Sequence, residues 1–295
     1  MPLRYDTVTF LSDYGRVDEF VGVVHSVIRS LAPGVTVIDL THDVPPYDVR
    51  AAGLTLARSA QYLCPGVVLA IVDPGVGTDR RGVAVEVGDG TSVLIGPDNG
   101  VLAPAVALCG GASRAVALTN PDYQLPAPGP TFAGRDVFAP AAAHLCNGVA
   151  LTELGEEIDP VSLLPGVLPI THEDEGALVA EVLWIDRYGN AQLNVDPAEI
   201  ESFGERVRLR FHGEQRTARR VQTFGELSAG EIGLIVDSYG LVAIVVNRHS
   251  AAQELGLHPS SEVRLAPLDD AGDDRGSEGR VITTAVQLSR KDAHP

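Results

Sequence analysis

The chain has 295 residues, 45% of them hydrophobic and 21% charged, with a formal net charge of −17. That length is too great for one small core and fits one large or two medium domains, and the apolar share excludes disorder as the default state. With 39 Asp and Glu against 22 Lys and Arg, the surface repels nucleic acid and anionic membranes, so neither is expected as a partner. A cationic small molecule would be tolerated or attracted, although such acidity also serves solubility alone.

The apolar run TVTFLSD near the start predicts a buried strand ending on polar residues. Residues 18–31, DEFVGVVHSVIRSL, carry helical spacing, VTVIDL at 35–40 a second strand, and residues 48–62 a second helix. PGVVLAIVDPGVG at 65–77 is a strand entering a Gly/Pro loop. This β-α-β-α-β alternation predicts an α/β domain with a mainly parallel central sheet and helices on both faces. GVAVEV at 82–87 and SVLIG at 92–96 flank the turn GDGT and predict a hairpin, and residues 136–147 predict a further helix. Three prolines within 159–171 mark a linker. The short strand-like runs that follow predict a smaller β-barrel. The expected domains are 1–160 (α/β, nucleoside-binding), a linker at 161–174, the barrel at 175–267, and an acidic, flexible extension at 268–295 with a possible added strand, VITTAVQL, at 281–288.

Cys64, Cys109 and Cys146 form no CxxC, which argues against a disulfide framework or a thiolate metal site. Each lies in apolar sequence, predicting buried free thiols. The start MPLRYDTVTF lacks a signal-peptide apolar run, and no stretch approaches the about 18 apolar residues of a membrane span, so the expected location is cytoplasmic. The eight histidines show no HxxH or HExxH spacing, so no metal site is expected.

Asp13 follows the first strand and Asp73 the third, where open α/β sheets bind ligands. A carboxylate there can accept both hydrogen bonds of a ribose diol; equally, Asp13 could cap a helix and Asp73 anchor a turn. The loop Asp73–Gly82 has G-x-G without the rest of a dinucleotide fingerprint and lacks the P-loop Lys-Ser/Thr. Of its tandem Arg80 and Arg81, one could pair with Asp73 and hold it ionised; a solvated surface pair is the plainer reading. Asp136 could cap the helix after it. Asp186-Arg187-Tyr188-Gly189-Asn190 reads as a β-turn. Ser12, Ser92 and Ser238 lack the G-x-S-x-G context of a serine hydrolase.

Seven segments occur in order: FLSDYG (10–15), DLTHDVPPYD (39–48), VDPGVGTDRR (72–81), IGPDNGVL (95–102), TFAGRDVFAPAAAHL (131–145), IDRYGN (185–190) and NRHSAAQELGL (247–257). Together they resemble the S-adenosyl-L-methionine hydroxide adenosyltransferase family, hydrolytic relatives of the fluorinases and chlorinases. The resemblance implies an α/β domain and a C-terminal β-barrel, a homotrimer with each active site between the N-domain of one subunit and the C-domain of the next, and hydrolysis of S-adenosyl-L-methionine to adenosine and L-methionine without a cofactor. It implies that Asp13 binds the ribose and Tyr47 walls it, and that Asp73 and Arg80 belong to an Asp-Arg-His set around the nucleophile. It places Asp186 and Ser238 at the methionine end, and Asn190, Tyr239 and the backbone near Asn247 at the adenine. One departure stands out: the family's usual histidine in TF-x-GRD is Ala133 here. His144, within the predicted helix, is not expected to replace it.

The chemistry implied is displacement at C5′ with neutral methionine leaving, so no general acid is needed. Water and an ordinary aspartate differ by about 12 pKa units, or about 16 kcal/mol, so Asp73 cannot make free hydroxide. It must take the proton as the C–O bond forms, or Arg80 must stabilise developing hydroxide. A halogenase would need an anion site that Asp73 opposes. A non-catalytic adenosine-binding protein is favoured by Ala133. A methyltransferase would carry a G-x-G loop where Asp13-Tyr14-Gly15 stands.

Overall fold

A computed structural model describes residues 3–268. The predicted strand at 281–288 and nearly all of the acidic extension lie outside the described residues. The N-terminal part contains β1 (Thr7–Ser12), α1 (Phe20–Leu31), β2 (Thr36–Thr41), α2 (Val49–Ser59), β3 (Val67–Ile71), β4 (Gly82–Val87), β5 (Ser92–Pro97), α3 (Ala103–Leu108), β6 (Ala112–Ala117), α4 (Ala139–Cys146) and β7 (Glu156–Ile158). Its sheet has the order β2-β1-β3-β5-β4-β6-β7. β2, β1, β3 and β5 run parallel, and β4, β6 and β7 extend the sheet as an antiparallel meander.

Every residue of β3 is buried, as its unbroken apolar run requires of a central strand covered on both faces. α1 and α4 cover one face through Val24, Ile28 and the alanine-rich α4, while α2 and α3 cover the other through Ala52, Leu56 and Ala105. Val24 and Ile28 are four apart and so share one side of α1. α2 starts where Asp48 accepts a hydrogen bond from the Ala51 N–H at 2.8 Å.

The second part contains β8 (His172–Asp174), β9 (Ala177–Ile185), β10 (Ala191–Leu193), β11 (Arg206–Phe211), β12 (Glu214–Arg220), β13 (Ile232–Val236), β14 (Val242–Val246), α5 (Ala251–Leu255) and β15 (Glu262–Pro267). Seven strands close into a barrel through the β9–β10 pairing, and β8 adds to β9. Along β11, Val207, Leu209 and Phe211 point into the core and the intervening arginines point away, the period-two pattern of a half-buried strand. No helix among the described residues is long and apolar enough to cross a membrane.

Several expectations need correction. β8 pairs within the barrel sheet although its residues fall in the expected linker. The helix expected at 136–147 is a π-helical turn, Gly134–Phe138, followed by α4. Asp136 lies inside that turn paired to Arg135, and Ala133 occupies the cap position instead. Only Cys146 is buried, whereas Cys64 and Cys109 are exposed, because both lie just beyond helix ends. α3, β7 and α5 were not foreseen, being too short to show a period, nor were β6 (ASRAVA) and β12 (EQRTARR), whose sequences show no apolar alternation.

The linker is held against the N-terminal part. Leu164 N–H donates to Asp98 Oδ1 at 2.8 Å, and Arg81 donates to the Ser162 carbonyl at 2.9 Å. α2 then meets the barrel, with Arg50 ion-paired to Glu181 at 2.7 Å and the Arg58 guanidinium 4.3 Å from the Trp184 ring centre.

Candidate active site

Parallel pairing sets Ser12 opposite Ile71, so the chain leaves adjacent strands at Asp13 and, two residues past β3, at Asp73. Both carboxylates therefore stand at one edge of the sheet. Asp13 Oδ2 accepts the Tyr47 N–H at 2.9 Å, which brings the loop after β2 onto β1. Tyr47 is largely exposed and has φ of 68°.

Asp73 and Arg80 form a two-pronged pair. Arg80 Nε donates to Asp73 Oδ1 at 2.9 Å, and Nη2 donates to Oδ2. Their side chains are only 6% and 13% exposed, so the pair is largely out of water. Arg80 also faces the fully buried Phe138 ring, 5.5 Å from its centre. The loop can fold back over seven residues because Gly77 takes φ of 79° and Thr78 donates to the Gly75 carbonyl at 2.7 Å. Burial pushes the Asp73 carboxyl above the ordinary aspartate value; Arg80 and the Gly75 amide pull it down only in part, and the Asp13 charge adds to the rise. Of the two readings of the tandem arginines, Arg80 takes the pairing with Asp73 rather than lying as a solvated surface group, but desolvation outweighs its guanidinium and the net shift is upward. Arg81 turns away to Asp98, at 2.6 Å.

Arg80 and Ala133 line one cavity of about 390 Å³, with Pro130, Asp136 and Phe138. Tyr14 reaches this region from β1. Its hydroxyl lies where a Cβ on Gly134 would be 2.3 Å away, so only glycine fits there. Burial, then the charges of Asp13 and Asp73, raises the Tyr14 pKa, so the phenol stays protonated. Phe20 and Phe132 pack edge-on against each other and around Tyr14. Tyr14 was not foreseen as a site residue; its signal was adjacency to Asp13. His144 instead packs edge-on against Tyr123, 5.0 Å between ring centres.

The remaining candidates gather on the barrel. Asp186 Oδ1 accepts N–H groups from Tyr188 and Asn190, and Oδ2 accepts the Asn190 side-chain amide at 2.7 Å. Ser238 and Tyr239 sit in the β13–β14 turn, built on Asp237, which accepts from Tyr239 N–H at 2.8 Å. Asn247 follows β14 and donates to the Leu227 carbonyl at 2.7 Å. Among the described residues, no hydrogen bond, ion pair or ring contact joins this group to Asp13, Tyr47, Asp73, Arg80 or Ala133.

Family models for the SAM hydroxide adenosyltransferase N-terminal and C-terminal domains match residues 8–155 and 180–264. The chain belongs to the SAM hydroxide adenosyltransferase family. A (R)-S-adenosyl-L-methionine hydrolase of Salinispora tropica is 43% identical over 258 residues, covering 88% of this chain and 97% of that protein. One of Thermus thermophilus is 43% identical over 266 residues, covering 88% and 98%. The crystal structure of an uncharacterized conserved protein from Thermotoga maritima superposes with a TM-score of 0.81 at 30% identity, covering 88% of this chain and 99% of that one. The boundary between the two family matches, 156–179, contains the linker held by Asp98 and Arg81. In this member of the SAM hydroxide adenosyltransferase family, Arg58 also lies 5.8 Å from the Tyr239 ring centre, so α2 supports a barrel turn that holds two candidate residues.

Proposed function

We propose that this chain hydrolyses S-adenosyl-L-methionine to adenosine and L-methionine. The observation that carries this reading is the buried Asp73–Arg80 pair at the sheet edge shared with Asp13, in a chain 43% identical to proteins named for that reaction. Asp13 takes the ribose hydroxyls and Tyr47 walls the sugar. Water held near Asp73 and Arg80 attacks C5′ opposite sulfur. The C5′–S bond breaks, its electron pair stays on sulfur as a neutral thioether, and the water's protons pass to the 5′ hydroxyl and to Asp73. Alignment of this kind can supply about 7–11 kcal/mol. The raised Asp73 pKa narrows the gap to the attacking water, which favours proton uptake as the bond forms.

Asp186 and Ser238 hold the methionine end, and Asn190, Tyr239 and the backbone near Asn247 face the adenine. Because no hydrogen bond, ion pair or ring contact among the described residues joins these barrel groups to the Asp13–Asp73 cluster, the reading includes a homotrimer in which the neighbouring barrel completes each site. No cofactor takes part.

The test is turnover in heavy-oxygen water, assayed with both epimers of the sulfonium, since the relatives' name specifies R. Adenosine labelled at its 5′ oxygen is the expected product. Unlabelled adenosine, or adenosine formed only with added halide, would overturn the reading. Ala133 favours one second reading, a nucleoside-binding protein without turnover, which predicts bound adenosine and no product from S-adenosyl-L-methionine.

A further inference from the structure

Three metal-ligating side chains converge where α1 crosses the ends of β1 and β2. His25 comes from α1, Asp39 from β2, and His42 from the position just beyond β2. His25 Nε2 lies 2.7 Å from Asp39 Oδ1, and His42 Nε2 lies 3.0 Å from the same oxygen. One ligand atom from each residue falls within 4.8 Å of the other two.

Both imidazole Nε2 atoms crowd the same Asp39 oxygen, and only the His25 contact meets it as a well-aligned hydrogen bond. The His42 side chain is 0% exposed, packed 4.6 Å from the Phe10 ring centre. Its Nδ1 is engaged with Ser12 Oγ at 2.8 Å. Its Nε2 is sealed from water and, despite its closeness to Asp39, makes no aligned hydrogen bond. A buried nitrogen held only by a poorly aligned contact is under-satisfied, and a cation shared with Asp39 and His25 would relieve it.

We propose that His25, Asp39 and His42 bind a divalent cation of the zinc class, which ties α1 and β2 to the end of β1. Two imidazoles and one carboxylate form an N2O donor set suited to zinc and its neighbours. Ser12, hydrogen-bonded to Nδ1, orients the ring and leaves Nε2 for the metal, as outer partners of ligating histidines do. His25 and Asp39 are partly exposed, at 34% and 28% of their side chains, so water completes the shell from that side. Ligands at about 2.0–2.2 Å around a tetrahedral ion stand about 3.3 Å apart. On binding, the His25–Asp39 and His42–Asp39 separations of 2.7 and 3.0 Å therefore lengthen by a few tenths of an ångström. The sequence signal is Asp39-x-x-His42 on a strand end with a histidine brought by the preceding helix, a pattern distinct from helical HxxH spacing.

The full chain, stripped with chelator and dialysed, is titrated with zinc chloride by calorimetry and with cobalt chloride by visible absorption. His25→Ala and Asp39→Asn alter partly exposed positions, and their folding is checked by circular dichroism. His249→Ala, at an exposed His–Glu pair elsewhere, is the control. The expected result is one zinc per chain, a melting temperature raised by zinc, and affinity at least tenfold weaker in both ligand variants but unchanged in the control. Absence of saturable binding, or binding equally strong in His25→Ala and Asp39→Asn, would overturn the proposal.

Discussion

Tyr47 donates its backbone N–H to Asp13 Oδ2 at 2.9 Å while holding φ of 68°, a left-handed conformation that a bulky residue seldom adopts. The carboxylate that we assign to the ribose thus also fixes the loop carrying the sugar's aromatic wall. That conformation costs about 1–2 kcal/mol, and the Asp13 hydrogen bond offsets it. Asp13→Ala removes the acceptor and the ribose contact together. KM is expected to rise at least tenfold, from loss of a charged hydrogen bond of about 1.5–3 kcal/mol, with a smaller fall in kcat. Steady-state assay of adenosine checks the split; a change confined to kcat would contradict the ribose role.

Burial raises the Asp73 pKa above its ordinary 3.8. The base works ionised, so kcat/KM falls as pH drops through the raised value, and the acid limb lies above pH 3.8. For stability the sign is opposite: the folded carboxyl holds its proton more tightly than the unfolded one, favouring the fold below 3.8 and losing that contribution as pH rises through the raised value. Asp73→Asn removes the limb and lowers kcat by about 10²–10⁴-fold. Arg80→Met leaves a buried carboxylate unpaired, destabilising the chain by about 3–5 kcal/mol and moving the limb of any residual activity upward. Rate–pH profiles and thermal melts of the three proteins decide this.

Gly134→Ala sets a Cβ 2.3 Å from the Tyr14 hydroxyl and 3.2 Å from the Phe132 ring. Tyr14 cannot swing aside, since Phe20 and Phe132 flank it. The cost is about 1–3 kcal/mol of overpacking. Tyr14→Phe deletes the closest atom, so the double variant recovers part of the loss. A double-mutant cycle from denaturant melts measures this coupling, and strict additivity would place the two residues out of contact.

Ala133 shares its cavity with Arg80. Ala133→His is expected to raise kcat toward the about 10²–10⁴-fold that a positioned proton-transfer group supplies, with little change in KM. Parallel progress curves for the two proteins test it, and equal turnover numbers would show that no catalytic group is missing at this position.

The amino-acid sequence by itself determined the alternation that makes an α/β sheet, the run of short strands that makes a barrel, and the ordered motifs that carry Asp13, Asp73 and Arg80. The first two follow from local periodicity and turn chemistry, which neighbours in the chain express directly, and the motifs speak through their resemblance to the family. Only the tertiary structure decided the direction of the Asp73 shift, because desolvation depends on how the fold buries the carboxylate, whose side chain is only 6% exposed. The same holds for Tyr14 against Gly134 and for the meeting of His25, Asp39 and His42. Each joins residues from separate elements: the π-helical turn before α4, packed on α1, sets Gly134 beside Tyr14, and the parallel pairing of β1 with β2 under α1 gathers the three ligands.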